Sequence, residues 1–543
     1  MTENNTEEFQ TNYLEHHQIV PILVGLMSGM FLAALDQTIV ATSIRTIGDE
    51  LNGLSVQAWV TTAYLITSTI TTPLYGKLSD IFGRKPLFIW AISLFVIGSA
   101  LSGAATSMYQ LAGFRAVQGL GAGGLFTMAL AIIGDIVPPR ERARYQGYFM
   151  AVFGTSSVLG PVVGGFFAGQ ASILGVSGWR WVFLINVPIG AIALYLVNRT
   201  LHIPGFQKVD HRIDWLGALF GSIAIVPLLI VAERASEWGV TSGKSLTAYA
   251  ITIVGVALFL MVEFRIGDEA LIPMRLFKDK TFALLTVVGV VTGAGMFGGL
   301  AVLPLYLQIV GGATPTEAGL QLLPLTLGIM SGSVIAGQTI SKVGRYKWFL
   351  VAGTTIVTIS LAWMTQIKFD TSYASIAFMA LAFGLGLGFL MQPTVIAVQN
   401  AVHPRDMGVA TSSVTLFRQL GATMGTGIFL SMLFSNLSKN VQTRFEAAVQ
   451  TPEYQTALLD PANAETVAKF ETLQSSGSSA FDDSSWINTA NEILVRPILQ
   501  GFTDSTTLVV GTGAAIVSIG IALTLLVPNN ELKHRERGAV VTE

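Results

Sequence analysis

The sequence predicts an all-α polytopic membrane protein of about fourteen transmembrane helices: two six-helix bundles with two helices inserted between them. Three observations carry this. The chain is 51% hydrophobic and only 12% charged, against about 25% charged for a soluble domain, and its mean hydropathy is +0.60. Apolar runs long enough to cross a bilayer, about 20 residues each, recur along almost the whole chain. Two landmarks also repeat with one offset. Gly76…Gly83-Arg84 returns 261 residues later as Gly337…Gly344-Arg345, and Gly160 and Gly164 return as Gly421 and Gly425. One shared offset is the mark of duplicated halves.

By run length the spans fall at 17–44, 57–79, 86–105, 108–135, 145–170, 179–200, 213–232, 246–266, 282–310, 316–340, 348–368, 373–398, 408–434 and 505–527. The domains follow: a tail at 1–16, a first bundle at 17–200, an inserted pair with its flanking loops at 201–281, a second bundle at 282–527 and a second tail at 528–543. An even count puts both termini on one side. With the N-terminus inside, 20 of the 31 Lys and Arg residues lie on inner loops and tails. That excess predicts cytoplasmic termini in a cell membrane. The first fifteen residues are acidic and polar, unlike the basic start of a secretory signal, so the first run is expected to persist as helix 1.

Composition excludes several classes. With no cysteine there is no disulfide, thiolate metal site or cysteine nucleophile. None of the six histidines lies within the body of an apolar run, so intramembrane proton chemistry falls to carboxylates. A net charge of −2 argues against nucleic acid. No Gly-x-x-x-x-Gly-Lys-Ser/Thr loop is present, so ATP is not expected to act here. No metal cluster or catalytic triad stands out, and the chain is read as a non-enzyme without a cofactor.

The loop Gly76-Lys-Leu-Ser-Asp80-Ile-Phe-Gly83-Arg84-Lys85 joins the second and third spans. A basic orientation signal explains Lys77, Arg84 and Lys85, but not Asp80 or the glycines. Gly76 permits close helix approach and Gly83 a turn that most residues resist. Asp36 stands in Leu35-Asp36-Gln37-Thr38-Ile39-Val40, inside an apolar run. An acid there costs about 2.5–3.5 kcal/mol on insertion scales and needs a partner or a cavity. It is either a structural acid satisfied locally or a group that loads and releases protons. Arg115, in Arg115-Ala-Val-Gln118-Gly119, cannot deprotonate and needs an acid or several acceptors. Asp135 closes the fourth span and can reach Arg84.

These residues resemble known motifs. The loop 76–85 resembles the G-x-L-x-D-x-x-G-R-K signature of the major facilitator superfamily. Asp36 and its neighbours resemble the first-helix L-D-x-T-I-V motif of its fourteen-helix drug:proton antiporters, with Arg45 standing where a proline usually follows. Arg115 resembles the R-x-x-Q-G motif, and Gly160-Pro161-Val-Val-Gly164-Gly165 resembles the G-P-x-x-G-G antiporter motif, with Ser156 replacing one upstream glycine. Trp179-Arg180-Trp181-Val-Phe-Leu-Ile-Asn186-Val-Pro188-Ile-Gly190 is similar to the sixth-helix stretch of the same group, its tryptophans suited to an interface belt.

The resemblance implies a fold, a cycle and roles. Asp36 and Arg115 would couple protons. Gly76, Asp80, Gly83, Arg84 and Asp135 would form a latch for the outward-closed state, contributing about 0–1 kcal/mol per exposed pair. Gln37, Gln118, Asn186, Tyr306, Gln308, Gln392 and Arg418 are cavity candidates. The expected partners are the lipid bilayer, protons and small lipophilic, often cationic compounds exported by a monomer. Two alternatives stay open: export of a cell-envelope lipid or lipid-linked metabolite, and a non-transporting membrane partner or sensor. The hydrophilic stretch 435–504 is read as an outer loop, outside the resemblance. Trp486, Ile487, Ile493, Leu494, Ile498 and Phe502 form a stripe near its end that suits a surface helix on the bundle, or a lid.

Overall fold

The computed structural model describes residues 14–51, 57–202, 213–239, 241–463, 466–467, 487 and 490–532. The first bundle holds α1 (His16–Glu50), α2 (Ala58–Phe82), α3 (Arg84–Gly103), α4 (Met108–Ile136), α5 (Pro139–Ala168) and the pair α6 (Trp181–Leu184) and α7 (Asn186–Thr200), which stack end to end as one span. A two-residue hairpin, β1 (Ser172–Ile173) and β2 (Val176–Ser177), sits between α5 and α6. The inserted pair is α8 (Trp215–Trp238) and α9 (Gly243–Ile266). The second bundle holds α10 (Lys280–Ile309), α11 (Pro315–Gln321) leading into α12 (Leu323–Val343), α13 (Lys347–Met364), α14 (Tyr373–Ala401), α15 (Met407–Val449) and, after the short α16 (Pro452–Leu459), α17 (Glu492–Leu526). Each predicted span therefore meets a helix. α1 runs on past residue 44 to Glu50, so helix persists through Arg45.

Thirteen of these segments are long and apolar enough to cross a membrane, and α2 is not among them. The reason is a run of hydroxyls, Thr67, Ser68, Thr69, Thr71 and Thr72. Four of the five donate to carbonyls within the protein. Thr71 donates to the carbonyl of Thr67 at 2.8 Å, and Thr72 to that of Ser68 at 2.8 Å and of Gly123 at 3.3 Å. α2 thus packs on α4 and on α15, where hydroxyls satisfied by backbone carbonyls carry no unpaired polar cost.

The duplicated landmarks occupy equivalent places. Gly76 of α2 packs on α15, and a Cβ there would stand 2.8 Å from the carbonyl oxygen of Gly408. Gly337 of α12 packs on α5, where a Cβ would stand 3.0 Å from the Ala143 carbonyl carbon. Gly160 and Gly164 press α5 onto α1, as Gly421 and Gly425 press α15 onto α10. α8 packs on α9, α15 and α2 and so covers the seam between the bundles. Among the described spans α9 is the least buried.

The stretch 435–504 departs from the expected loop. α15 extends to Val449 over 43 residues, and α17 begins at Glu492 and has 35. At 1.5 Å per residue these helices reach about 65 and 52 Å, well beyond a hydrocarbon core of about 30 Å. The stripe is real but packs differently from a helix resting on the bundle. Ile487, Leu494 and Ile498 are buried against α16 and the far end of α15, where Phe445 and Tyr454 meet edge to face. Arg444 forks onto Asp504 at 2.7 and 3.0 Å. Ser475–Ser479 and Trp486 lie outside the described residues. Trp179 is likewise no belt residue: it is buried, edge-on to Phe183, with the Arg180 guanidinium over its ring.

Candidate functional site

Asp36 is completely buried in the middle of α1. One carboxylate oxygen accepts from Arg115 Nη1 at 2.5 Å, and the other from Gln118 Nε2 and Asn186 Nδ2, both at 2.9 Å. Arg115 also donates to Gln118 Oε1 at 2.7 Å. Helical spacing explains the pair on α4: residues three apart share a face. Asn186 reaches in from the start of α7 and donates also to Ser99 Oγ at 3.0 Å. The ring of Tyr64 lies 4.1 Å under the Arg115 guanidinium. α4 and α7 thus supply the donors to the Asp36 carboxylate of α1, α2 and α3 support those donors, and the charge of Arg115 is balanced by Asp36. Arg115 Nε and Asn186 Oδ1 remain without a partner, so the cluster has spare hydrogen-bonding capacity.

The antiporter-motif residues lie one turn away. Gly160 packs against Thr38 and Gly164 against Ile39 and Thr42. The Thr38 hydroxyl donates to the Ser156 carbonyl at 3.0 Å, and Ser43 to that of Gly164 at 3.1 Å. Pro161 faces Gly319 of α11, while nothing lies within 4 Å of a Cβ at Gly165. The close α1–α5 contact therefore rests on Gly160 and Gly164.

The second charged group lies at the far end of α2. Arg84 pairs with Asp80 Oδ1 at 2.6 Å and Asp135 Oδ2 at 2.7 Å, and also bonds Ser79. Asp80 Oδ2 accepts from the Val409 amide at the start of α15, 3.2 Å away. Gly83, at φ 97°, makes the turn that brings Arg84 back onto α2. Nearby, Gln399 donates to the Leu130 carbonyl at 3.1 Å. The first and last described residues lie here too, with the Leu14 amide on the Ile136 carbonyl and Glu531 on Arg345. This network is buried rather than exposed: the Arg84 side chain is 3% accessible and Asp80 8%. It also ties the two bundles together at the end bearing Asp80.

An adjoining strap comes from the inserted pair. Arg275 forks onto Asp406 at 2.9 and 2.6 Å and pairs with Asp268 at 2.6 Å. The Asp406 bonds hold the guanidinium pKa above its usual value. Lys77 donates to the Asp268 carbonyl at 3.2 Å. Asp214 and Glu263 cap the same loop by accepting the Leu271 and Ile272 amides. Sequence reasoning missed Asp268, Asp406 and Glu263, as well as Tyr64 and Ser99. Glu263 alone carried a signal, an acid inside an apolar run.

The remaining cavity candidates do not gather with Asp36. Gln37 is exposed. Tyr306 is packed in the second bundle, with its hydroxyl on the Lys368 carbonyl at 2.7 Å. Gln308 is half-buried. Gln392 is buried, with its Oε1 unpartnered. Arg418 is half-buried in α15.

A bundle pair around a buried ion pair, joined at one end by a charged network, is the architecture of a multi-pass membrane transporter. The family pattern of the Major Facilitator Superfamily matches residues 26–426. The chain is 35% identical over 407 residues to the multidrug transporter protein MdtP of Bacillus subtilis, covering 74% of this chain and 73% of that one. It is 35% identical over 421 residues to multidrug resistance protein 3 of the same organism, covering 75% and 78%. Among solved structures, the proton:xylose symporter XylE aligns with a TM-score of 0.59 at 16% identity, over 96% of this chain and 98% of that one. The chain belongs to the major facilitator superfamily. It is a transporter and not an enzyme, and relatives at this level of identity are named for multidrug efflux.

Proposed function

We propose that this protein is a proton-coupled exporter of lipophilic compounds, working by alternating access. The observation that carries this reading is the closed Asp36–Arg115 pair, walled by Gln118 and Asn186. The carboxylate can be neutralised by the Arg115 cation or by a proton, and exchanging one for the other requires the pair to open. Proton binding and conformation are then linked through one contact. The membrane potential supplies about 2.3 kcal/mol per charge per 100 mV, enough to drive accumulation against a gradient.

With the Asp80 end inside, the network there would hold the inward-closed state, and proton entry and cargo release would both face outward. The multidrug names of the relatives support lipophilic cargo. The test is ethidium efflux from energised cells making the parent or Asp36→Asn, at matched expression. Efflux by the parent that is lost in the variant and with a protonophore is the expected result. No efflux by well-expressed parent refutes the drug reading.

The second reading, export of an envelope lipid, is favoured by one feature. α15 and α17 project as a packed helical pair beyond any span length. Comparison of lipid extracts from cells with and without the protein tests it.

A further inference from the structure

Arg418 is a charge that the proposed cycle leaves unused. It lies in α15 eleven residues after Met407, about 17 Å into the helix, and so within the span. Its backbone packs on α10 beside Gly289 and Gly293. The side chain is only half-buried, so its head group meets space that no described side chain fills. The guanidinium makes no hydrogen bond or ion pair with any described residue. Arg115, the other arginine deep in a span, and Arg84 at the latch both face carboxylates.

A guanidinium cannot escape this position by losing its proton, and an unpaired buried charge is strongly unfavourable.

We infer that Arg418 is the counter-charge for an oxyanion carried on an apolar body, so that the cargo of this transporter includes amphipathic acids. This rests on the transporter reading. The planar guanidinium fork matches a carboxylate or a phosphate equally, and binding such a group removes the unpaired charge. The acid therefore gains from Arg418 what its neutral ester does not.

The experiment uses the full-length protein in nanodiscs of neutral lipid. Dansylaminoundecanoic acid and its methyl ester are titrated by fluorescence against the parent, Arg418→Gln and Arg418→Lys. A dansyl-labelled phosphatidic acid beside its diacylglycerol counterpart forms a second arm. A charge-assisted contact corresponds to an acid-over-ester preference of about tenfold or more. The parent is expected to show that preference, Arg418→Gln to lose it and Arg418→Lys to keep most of it. Preference in the first arm identifies a free acid as the source, and in the second a lipid headgroup. Equal binding of charged and neutral twins by the parent in both arms overturns the inference, as does preference surviving in Arg418→Gln. Ethidium transport is measured on the same purified proteins reconstituted in sealed vesicles. Transport without any acid preference leaves the exporter and removes the anion site. Acid preference without transport of any probe does the reverse.

Discussion

Replacing Asp36 by Asn leaves the Arg115 guanidinium buried without its counter-charge. The carboxylate accepts three hydrogen bonds, from Arg115, Gln118 and Asn186. An amide offers one oxygen, and its nitrogen must face at least one of these donors. Breaking a buried pair by removing one partner costs about 3–5 kcal/mol. Arg115→Gln strands the acid instead, and the cost is of the same size. The double variant, Asp36→Asn with Arg115→Gln, removes both charges and leaves a neutral amide cluster. It should lose far less than the about 6–10 kcal/mol that two additive losses would give, and the shortfall is the coupling energy of the pair. The assay is thermal unfolding in detergent for the four proteins of the cycle, beside transport in vesicles. The double variant is expected to be stable and uncoupled, since no titratable group remains at the site. Additive losses in stability would refute the pairing, and proton-driven transport by the double variant would refute the assigned role.

Other expectations concern the end bearing Asp80. Gly76→Ala puts a methyl group about where the Gly408 carbonyl and Ser412 stand, and should open the α2–α15 seam. Distances between spin labels on α2 and α15 at that end should lengthen, and an unchanged distribution counts against the latch. Arg275→Gln cuts the fork to Asp406 and should raise hydrogen exchange across 267–279 while leaving α8 and α9 protected. Unchanged exchange there would show that the strap holds nothing. Glu531 is a pH probe. Its hydrogen bond and attraction to Arg345 hold its carboxyl below the usual carboxylate range. The stabilisation is then present above the unfolded-state value of about 4.3 and is lost as pH falls through the lowered native value. Docking of residues 531–532 on Gly344 and Arg345 should loosen only in acid, read as proteolysis near the C-terminus. Glu531→Gln should abolish that pH dependence.

The helices were legible because run length alone sets a span, and the duplicated glycines marked where helices touch. α15 and α17 were not, because their extensions are polar on one side and bury a stripe only against each other and the short α16. Asp36 and Arg115 were legible as charges that needed partners. That they meet depends on the rotation of α1 and α4, which is set by Gly119 and Gly123 packing α4 on α2 and by Gly160 and Gly164 packing α5 on α1. The strap was hidden because Asp406 and Arg275 lie 131 residues apart in unremarkable polar turns. In the second half the latch is only half repeated: Ser341 stands where the first repeat has Asp80, so Arg345 turns to Glu531 of the tail.

The central claim is that Asp36 carries the proton that drives export. The most direct measurement imposes a pH gradient, with no other energy source, on vesicles holding purified parent or Asp36→Asn and follows ethidium accumulation. The account predicts gradient-dependent accumulation by the parent and none above the leak by the variant. Accumulation by Asp36→Asn that tracks the gradient as the parent does would contradict it.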